Sequence, residues 1–203
     1  MATKYIAVAG NMGSGKSSLT DFLCRHYKLK PFFEPNEINP YLTHFYKDMK
    51  RWAFHSQMHF ITHKFRIHQE LDRHPGTVVQ DRTIYEDAEV FATNLYKIGY
   101  MSKEEFGTYK DLYATMLNAI NPPDIMIYLE CPIRTLKKRI ERRGRAMEKA
   151  VPDEYLLKLE KLYKRWISRY DRSPLVTFST EKTDYLSDFI CRHDLQSTIE
   201  KYL

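Results

Sequence analysis

Apolar residues along this chain follow two alternating rhythms. Residues 4–9, Lys-Tyr-Ile-Ala-Val-Ala, form a short apolar run closed by Gly10, with the length and β-rich makeup of a buried strand. The period then lengthens: Leu19, Phe22 and Leu23 recur at helical spacing over 17–27. Phe32-Phe33-Glu34-Pro35 reads as a second strand stopped by proline, and residues 49–73, free of Pro and Gly, read as one long helix ending near His74-Pro75-Gly76. Thr77 to Asp81 forms a third strand, helical stretches cover 83–98 and 102–120, and Pro122-Pro123 leads into a fourth strand over 125–129. Pro132 opens another helix at its favoured first-turn position. A helix over 153–169, a strand over 175–178 and a C-terminal helix complete the pattern. Strands alternating with helices predict an α/β fold, a parallel sheet flanked by helices. Without a repeat, low-complexity tract or linker, residues 1–203 read as a single domain.

Composition narrows the function classes. At 43% hydrophobic and 29% charged residues, the chain has the means to bury a core, which excludes disorder as its main state. No apolar run has the length of a membrane helix, and Met1-Ala2-Thr3-Lys4-Tyr5-Ile6 does not read as a signal peptide. Cys24, Cys131 and Cys191 are odd in number and far apart, which argues against a disulfide framework or zinc knuckle and for a cytoplasmic location. The net charge of +6 is concentrated: residues 134–149 hold eight Lys/Arg against Glu141 and Glu148, an excess equal to the whole imbalance. One such cluster suits a small polyanion better than duplex nucleic acid, which calls for a basic stripe over several elements. The 14% aromatic content keeps a nucleic-acid-binding ATPase as an alternative of a different class.

The candidate chemistry begins at Gly10-Asn11-Met12-Gly13-Ser14-Gly15-Lys16-Ser17, which matches G-x4-G-K-[ST] between a predicted strand and helix. Three of the seven glycines fall within these positions, where backbone N–H groups must turn inward around phosphate oxygens. Lys16 would reach the terminal phosphates, Ser17 would hold Mg²⁺, and the following helix would point its positive end at the anion. A P-loop serves NTPase switches, nucleotide kinases and nucleoside kinases alike. The 125–129 strand is followed by Glu130 alone rather than an acidic pair, and no N-K-x-D base motif is present. A small phosphotransferase fits better than a switch or motor.

Further motifs carry a resemblance. The loop from Gly10 through Ser18, Glu34-Pro35, Tyr46, Arg51-Trp52-Ala53-Phe54 leading to Gln57, the run Asp81-Arg82-Thr83-Ile84-Tyr85-Glu86-Asp87, the basic run from Arg139 to Glu148, and Tyr170-Asp171-Arg172-Ser173-Pro174 occur in order across nearly the whole chain. In this the sequence resembles the deoxynucleoside kinase family, especially its bacterial deoxyadenosine/deoxyguanosine kinase branch. The resemblance implies a P-loop kinase fold with a five-stranded parallel sheet, a homodimer, and transfer of the ATP γ-phosphate to a deoxynucleoside 5′-hydroxyl in nucleotide salvage.

It also implies roles residue by residue. Glu34, at the carboxyl edge of the sheet, would be the general base. A glutamate there also favours a nucleoside over a nucleoside monophosphate, whose charge would call for a cation; a thymidylate-type kinase remains the nearer alternative, and a non-catalytic ATP-binding subunit a remoter one. Arg82 would bind the 5′-oxygen and the transferring phosphoryl group, and Asp81 would help hold Mg²⁺. Asp81 and Thr83 stand where related kinases often have Glu and Ser. On the long helix Gln57, Phe60 and Lys64 share a face, which in the family meets the base; Lys64 stands where arginine is more common. Asp87 would join them, and a carboxylate beside an amide suits a base bearing an amino group, so deoxyadenosine is expected to lead, with deoxyguanosine or deoxycytidine next. Tyr46 and Glu148 would bind the sugar 3′-hydroxyl. Arg139, Arg143 and Arg145 would clamp the ATP phosphates from a lid over 139–149, flexible at Gly144. His55, His59 and His63 also recur at helical spacing, but no cysteine or carboxylate completes a metal set, and a solvated or dimer-facing stripe is expected.

Overall fold

The structure, a computed structural model, describes residues 4–33, 39–145, 151–181 and 189–202. Strand β1 (Tyr5–Gly10) leads into α1 (Lys16–Tyr27), then β2 (Lys30–Phe32), α2 (Leu42–Lys47), α3 (Met49–Arg73) and β3 (Val78–Asp81). A short α4 (Ile84–Glu86) passes into a π-helical segment (Asp87–Ala92) and α5 (Thr93–Lys97). There follow α6 (Lys103–Leu117), β4 (Ile125–Glu130), α7 (Ile133–Arg143), α8 (Asp153–Ile167), β5 (Leu175–Ser179) and α9 (Phe189–Ile199).

All strand pairs are parallel, in the order β2-β3-β1-β4-β5, giving the five-stranded sheet that was expected. Its alternation sorts the core into two layers. Tyr5, Ala7 and Ala9 of β1 and Met126 and Tyr128 of β4 pack with α3, α6 and α8 residues such as Ile61, Tyr109 and Tyr163. Ile6, Val8, Ile125, Ile127 and Leu129 face the other way, onto Leu19 and Leu23 of α1 and Leu195 and Ile199 of α9. With β1 buried along its whole length, an unbroken apolar run is what a central parallel strand needs.

Three local expectations change. Strand β2 stops at Phe32, so Phe33 is not part of it and is 45% exposed; Pro31 is tolerated because this edge strand pairs with β3 alone. Helix α2, which carries Tyr46, was not expected: six residues are too few to display a helical period. The helix expected over 83–98 widens into a π turn, where the Thr93 hydroxyl donates to Ala88 O at 2.8 Å. By contrast, α3 spans the expected residues, starting at Asp48, whose carboxylate accepts from Arg51 N, and ending before Pro75. Among the described residues, no helix is long and apolar enough to cross a membrane.

Candidate active site

The loop leaving β1 is built from backbone that ordinary residues avoid. Gly10, Gly13 and Gly15 lie at φ 149°, 79° and 101°. A Cβ on Gly10 would come within 2.8 Å of Leu129 O, and one on Gly13 within 2.9 Å of Leu136 O. Glycine is therefore required where the loop runs past β4 and α7. Lys16 folds back over the loop, and its ammonium donates to Gly10 O at 2.8 Å and Asn11 O at 3.0 Å. The Ser17 hydroxyl donates to Asp81 Oδ2 at 2.5 Å, which joins the P-loop to the end of β3. The other oxygen of Asp81, Oδ1, is buried without a hydrogen-bond partner among the described residues.

Arg82 leaves β3 at φ 63°, a conformation that costs about 1–3 kcal/mol for a side chain of this size. The turn is held from both sides. Its N–H donates to Val8 O at 3.0 Å, and its carbonyl accepts from Lys64 Nζ at 2.8 Å. The guanidinium lies over the Phe91 ring, 4.5 Å from its centre. Lys64, fully buried on α3, also stands 3.6 Å from Asp87 Oδ2. The ammonium thus donates to the Arg82 carbonyl and stands as a counter-charge to the Asp87 carboxylate.

These elements enclose a cleft at the carboxyl edge of the sheet. Lys16, Ser17, Asp81 and Arg82 line one end; Tyr46 from α2, Ser56, Gln57 and Phe60 from α3, and Asp87 and Phe91 from the π segment line the rest, with Arg143 and Arg145 reaching in from the end of α7. Gln57 is almost wholly buried, yet its Oε1 has no hydrogen-bond partner among the described residues. Burying such an acceptor without a partner costs about 1–3 kcal/mol.

Not every predicted contact points into the cleft. Asn11 ties the P-loop to α8, with Nδ2 donating to Leu156 O and Glu160 Oε2, both at 3.3 Å. Ser14 is fully buried, and Ser18 is exposed on α1, away from the cleft lining. Arg139, within helical α7, donates to Ser14 O at 3.3 Å and to Thr180 Oγ1 and O at 3.1 and 2.7 Å. Its guanidinium thus braces the P-loop from behind and is not among the groups lining the cleft. Lys64 does not line the cleft either but stands behind Asp87. Glu34 and Glu148 lie outside the described residues. His55, His59 and His63 flank a surface groove with Tyr41 and Met58, the His59 and His63 rings stacked 6.2 Å apart. Among the described residues no group of three His, Cys, Asp or Glu is placed to hold a metal ion.

Sequence reasoning missed Tyr155, Phe91 and the part played by Glu86. Tyr155 lines the cleft from the first turn of α8, and burial pushes its phenol up to about 12, so it is a proton donor at neutral pH. Nothing in the Asp153-Glu154-Tyr155 string marks it. For Glu86 a signal was present: Thr83-x-x-Glu86 is a capping box, and Glu86 accepts from Thr83 N at 2.8 Å.

The whole arrangement is matched elsewhere. Residues 6–203 fit the family model of deoxynucleoside kinases. The chain belongs to the deoxynucleoside kinase family. It is 38% identical to a deoxyadenosine/deoxycytidine kinase of Bacillus subtilis over 90% of this chain and 85% of that one. It is 33% identical to a deoxyadenosine kinase of Lactobacillus acidophilus over 98% and 96% of the two chains. Among solved structures, deoxyadenosine kinase from M. mycoides with bound dATP superposes with a TM-score of 0.83 at 28% identity, covering 98% of this chain and 99% of that one. The fold is thus the P-loop kinase fold, and the kinase is an ATP-dependent phosphotransferase that acts on deoxynucleosides. The alternatives left open by the sequence, a thymidylate-type kinase and a nucleic-acid-binding ATPase, yield to this membership.

Proposed function

We propose that this kinase transfers the γ-phosphate of ATP to the 5′-hydroxyl of deoxyadenosine, with deoxyguanosine and deoxycytidine as poorer acceptors, as one cytoplasmic salvage domain spanning the chain. The observation that carries the base choice is that Gln57, whose Oε1 has no hydrogen-bond partner among the described residues, and the Asp87 carboxylate line the same cleft. Two acceptors meet an exocyclic amino group, as on adenine or cytosine, while the Gln57 amide N–H₂ answers the neighbouring ring nitrogen. Thymine would set a carbonyl against Asp87, acceptor against acceptor, at about 1–3 kcal/mol. The names of the relatives divide among deoxyadenosine, deoxycytidine and deoxyguanosine, so the base choice rests on the cleft alone.

The other residues take the roles that the family resemblance implies. Glu34 withdraws the 5′-hydroxyl proton, Tyr46 and Glu148 hold the sugar 3′-hydroxyl, and Phe60 packs on the base. The P-loop amides and Lys16 hold the ATP phosphates, and Arg143 and Arg145 close over them. Arg82 stabilises charge on the phosphoryl group in flight. The donor set of Ser17 Oγ and the unpartnered Asp81 Oδ1 fits Mg²⁺, a hard cation that takes oxygen ligands and would neutralise charge on the ATP phosphates. The homodimer that the family resemblance implies belongs to the same proposal.

Assaying all four deoxynucleosides with labelled ATP tests the proposal. Deoxyadenosine should have the highest kcat/KM, and a higher value for thymidine would overturn the base reading.

A further inference from the structure

Glu86 plays no part in the roles above, yet it is fully buried and surrounded by donors from separate parts of the site. Its Oε2 accepts from Thr83 N at 2.8 Å and from Thr83 Oγ1 at 3.4 Å. Its Oε1 accepts from Gly10 N at 3.1 Å and from the Tyr163 hydroxyl at 2.9 Å, and stands 3.9 Å from Arg82 Nε. One carboxylate is therefore hydrogen-bonded to the first glycine of the P-loop, to the residue following Arg82 and to helix α8, and is ion-paired at 3.9 Å, without a hydrogen bond, with Arg82 Nε.

The chemistry of the spot calls for this group. Every neighbour is a donor, and an ionised carboxylate is acceptor-only. A buried carboxylate is costly to desolvate and persists where its oxygens are satisfied. Gly10 is held in place from the other side as well, since no Cβ fits between it and Leu129 O. Arg82 is held by its own backbone contacts to Val8 and Lys64. What spans the gap between those two fixed points is Glu86.

We infer that Glu86 is a positioning residue: it sets the P-loop's first turn in register with the Arg82 guanidinium, and so sets where the donor phosphates lie relative to the charge that stabilises transfer. A misplacement on the order of 1 Å at this point costs about 10²-fold in rate. The inference rests on the kinase reading above.

The test is a cycle in the full-length protein. Glu86→Gln keeps size and one oxygen but turns an N–H₂ toward donors. It should lower kcat about 10–100-fold, as loss of an orienting partner does elsewhere, while leaving the KM for deoxyadenosine within about 2-fold. In an Arg82→Ala background the same change should alter kcat by less than about 2-fold, because nothing remains to be registered. Tyr163→Phe keeps the ring and removes one donor, and should lower kcat by roughly 2–5-fold with the same unchanged KM. It carries the test if Glu86→Gln does not fold. Additive losses in the cycle, or a KM that rises in step with the fall in kcat, would overturn the inference, as would full activity in Tyr163→Phe where Glu86→Gln does not fold. A parent protein inactive on every deoxynucleoside would instead overturn the kinase reading and this inference with it.

Discussion

The two ends of the cleft are built in opposite ways. At the phosphate end the P-loop carries its own turn, with Lys16 resting on Gly10 and Asn11 and Ser14 N donating to Asn11 O, and Glu86, Arg139 and α8 then anchor it at Gly10, Ser14 and Asn11. Its binding groups are backbone amides, and its geometry follows from glycines at positive φ. At the nucleoside end, the working groups are side chains held by partners far away in the chain. Lys64 on α3 supports the Arg82 carbonyl, and Asp87 is backed by Lys64. Recognition through backbone is blind to which nucleoside is the acceptor. Recognition through buried side chains depends on the base. Damage to the first end should therefore lower activity on all nucleosides alike, and damage to the second should reorder them.

Arg82 stands between the two ends and should give the largest effect. Arg82→Ala removes a charge-assisted contact made in the transition state, so kcat should fall roughly 10²–10³-fold, equally for every accepted nucleoside. Steady-state kinetics with two nucleosides checks this, and an unequal loss would blur the division just drawn. Next comes Gly13→Ala. Its methyl group would press within 2.9 Å of Leu136 O at a backbone angle an L residue resists, at a cost of about 1–3 kcal/mol. ATP affinity should drop about 10–100-fold, with the order of nucleosides unchanged. A reordered ranking, read from competition assays, would show that the ends are not independent.

Gln57→Leu should do the reverse. It removes one acceptor and one donor for the base without touching the phosphate end, so kcat/KM for deoxyadenosine should fall by roughly 10-fold relative to thymidine. An equal loss for both would reduce Gln57 to a packing residue. The smallest effect concerns His68, buried on α3 with neither ring nitrogen bonded among the described residues, and edge-on to Tyr5. Burial, aided by Lys64, pushes its imidazole down to about 3 from 6.5. Between those values the unfolded chain binds a proton that the folded chain does not. The stability His68 permits is thus complete above about pH 6.5 and declines as pH falls, by up to about 1.4 kcal/mol per pH unit. Urea unfolding from pH 7.5 to 5 should show a shallower decline in His68→Leu than in the parent. Parallel declines would mean that His68 is not the group that titrates.

Much of this molecule is written in local runs. The apolar stretch before Gly10, the absence of Pro and Gly over 49–73, and the P-loop string each determine their element by short-range physics: periodicity, capping and allowed φ. The spacing of Gln57 and Phe60 put them on one face of α3, and both line the cleft. What no local run contains is the packing of one run on another. Arg139, a cation in a charge run, braces the P-loop because α7 lies against Ser14 and Thr180, residues 125 and 41 positions away in the chain. Tyr155 reaches the cleft because α8 packs beside the π segment, and Lys64 is drawn off the cleft wall toward the carbonyl of a strained turn. Glu86 announces a helix start in sequence, but its hold on Gly10 and Tyr163 exists only once β1, β3 and α8 have come together. The turn of a backbone site can be read from its own residues because it is encoded in φ and ψ, even where distant groups such as Arg139 and Glu86 then brace it. A site of buried charges cannot, because each charge is tolerated only through partners that the tertiary fold supplies.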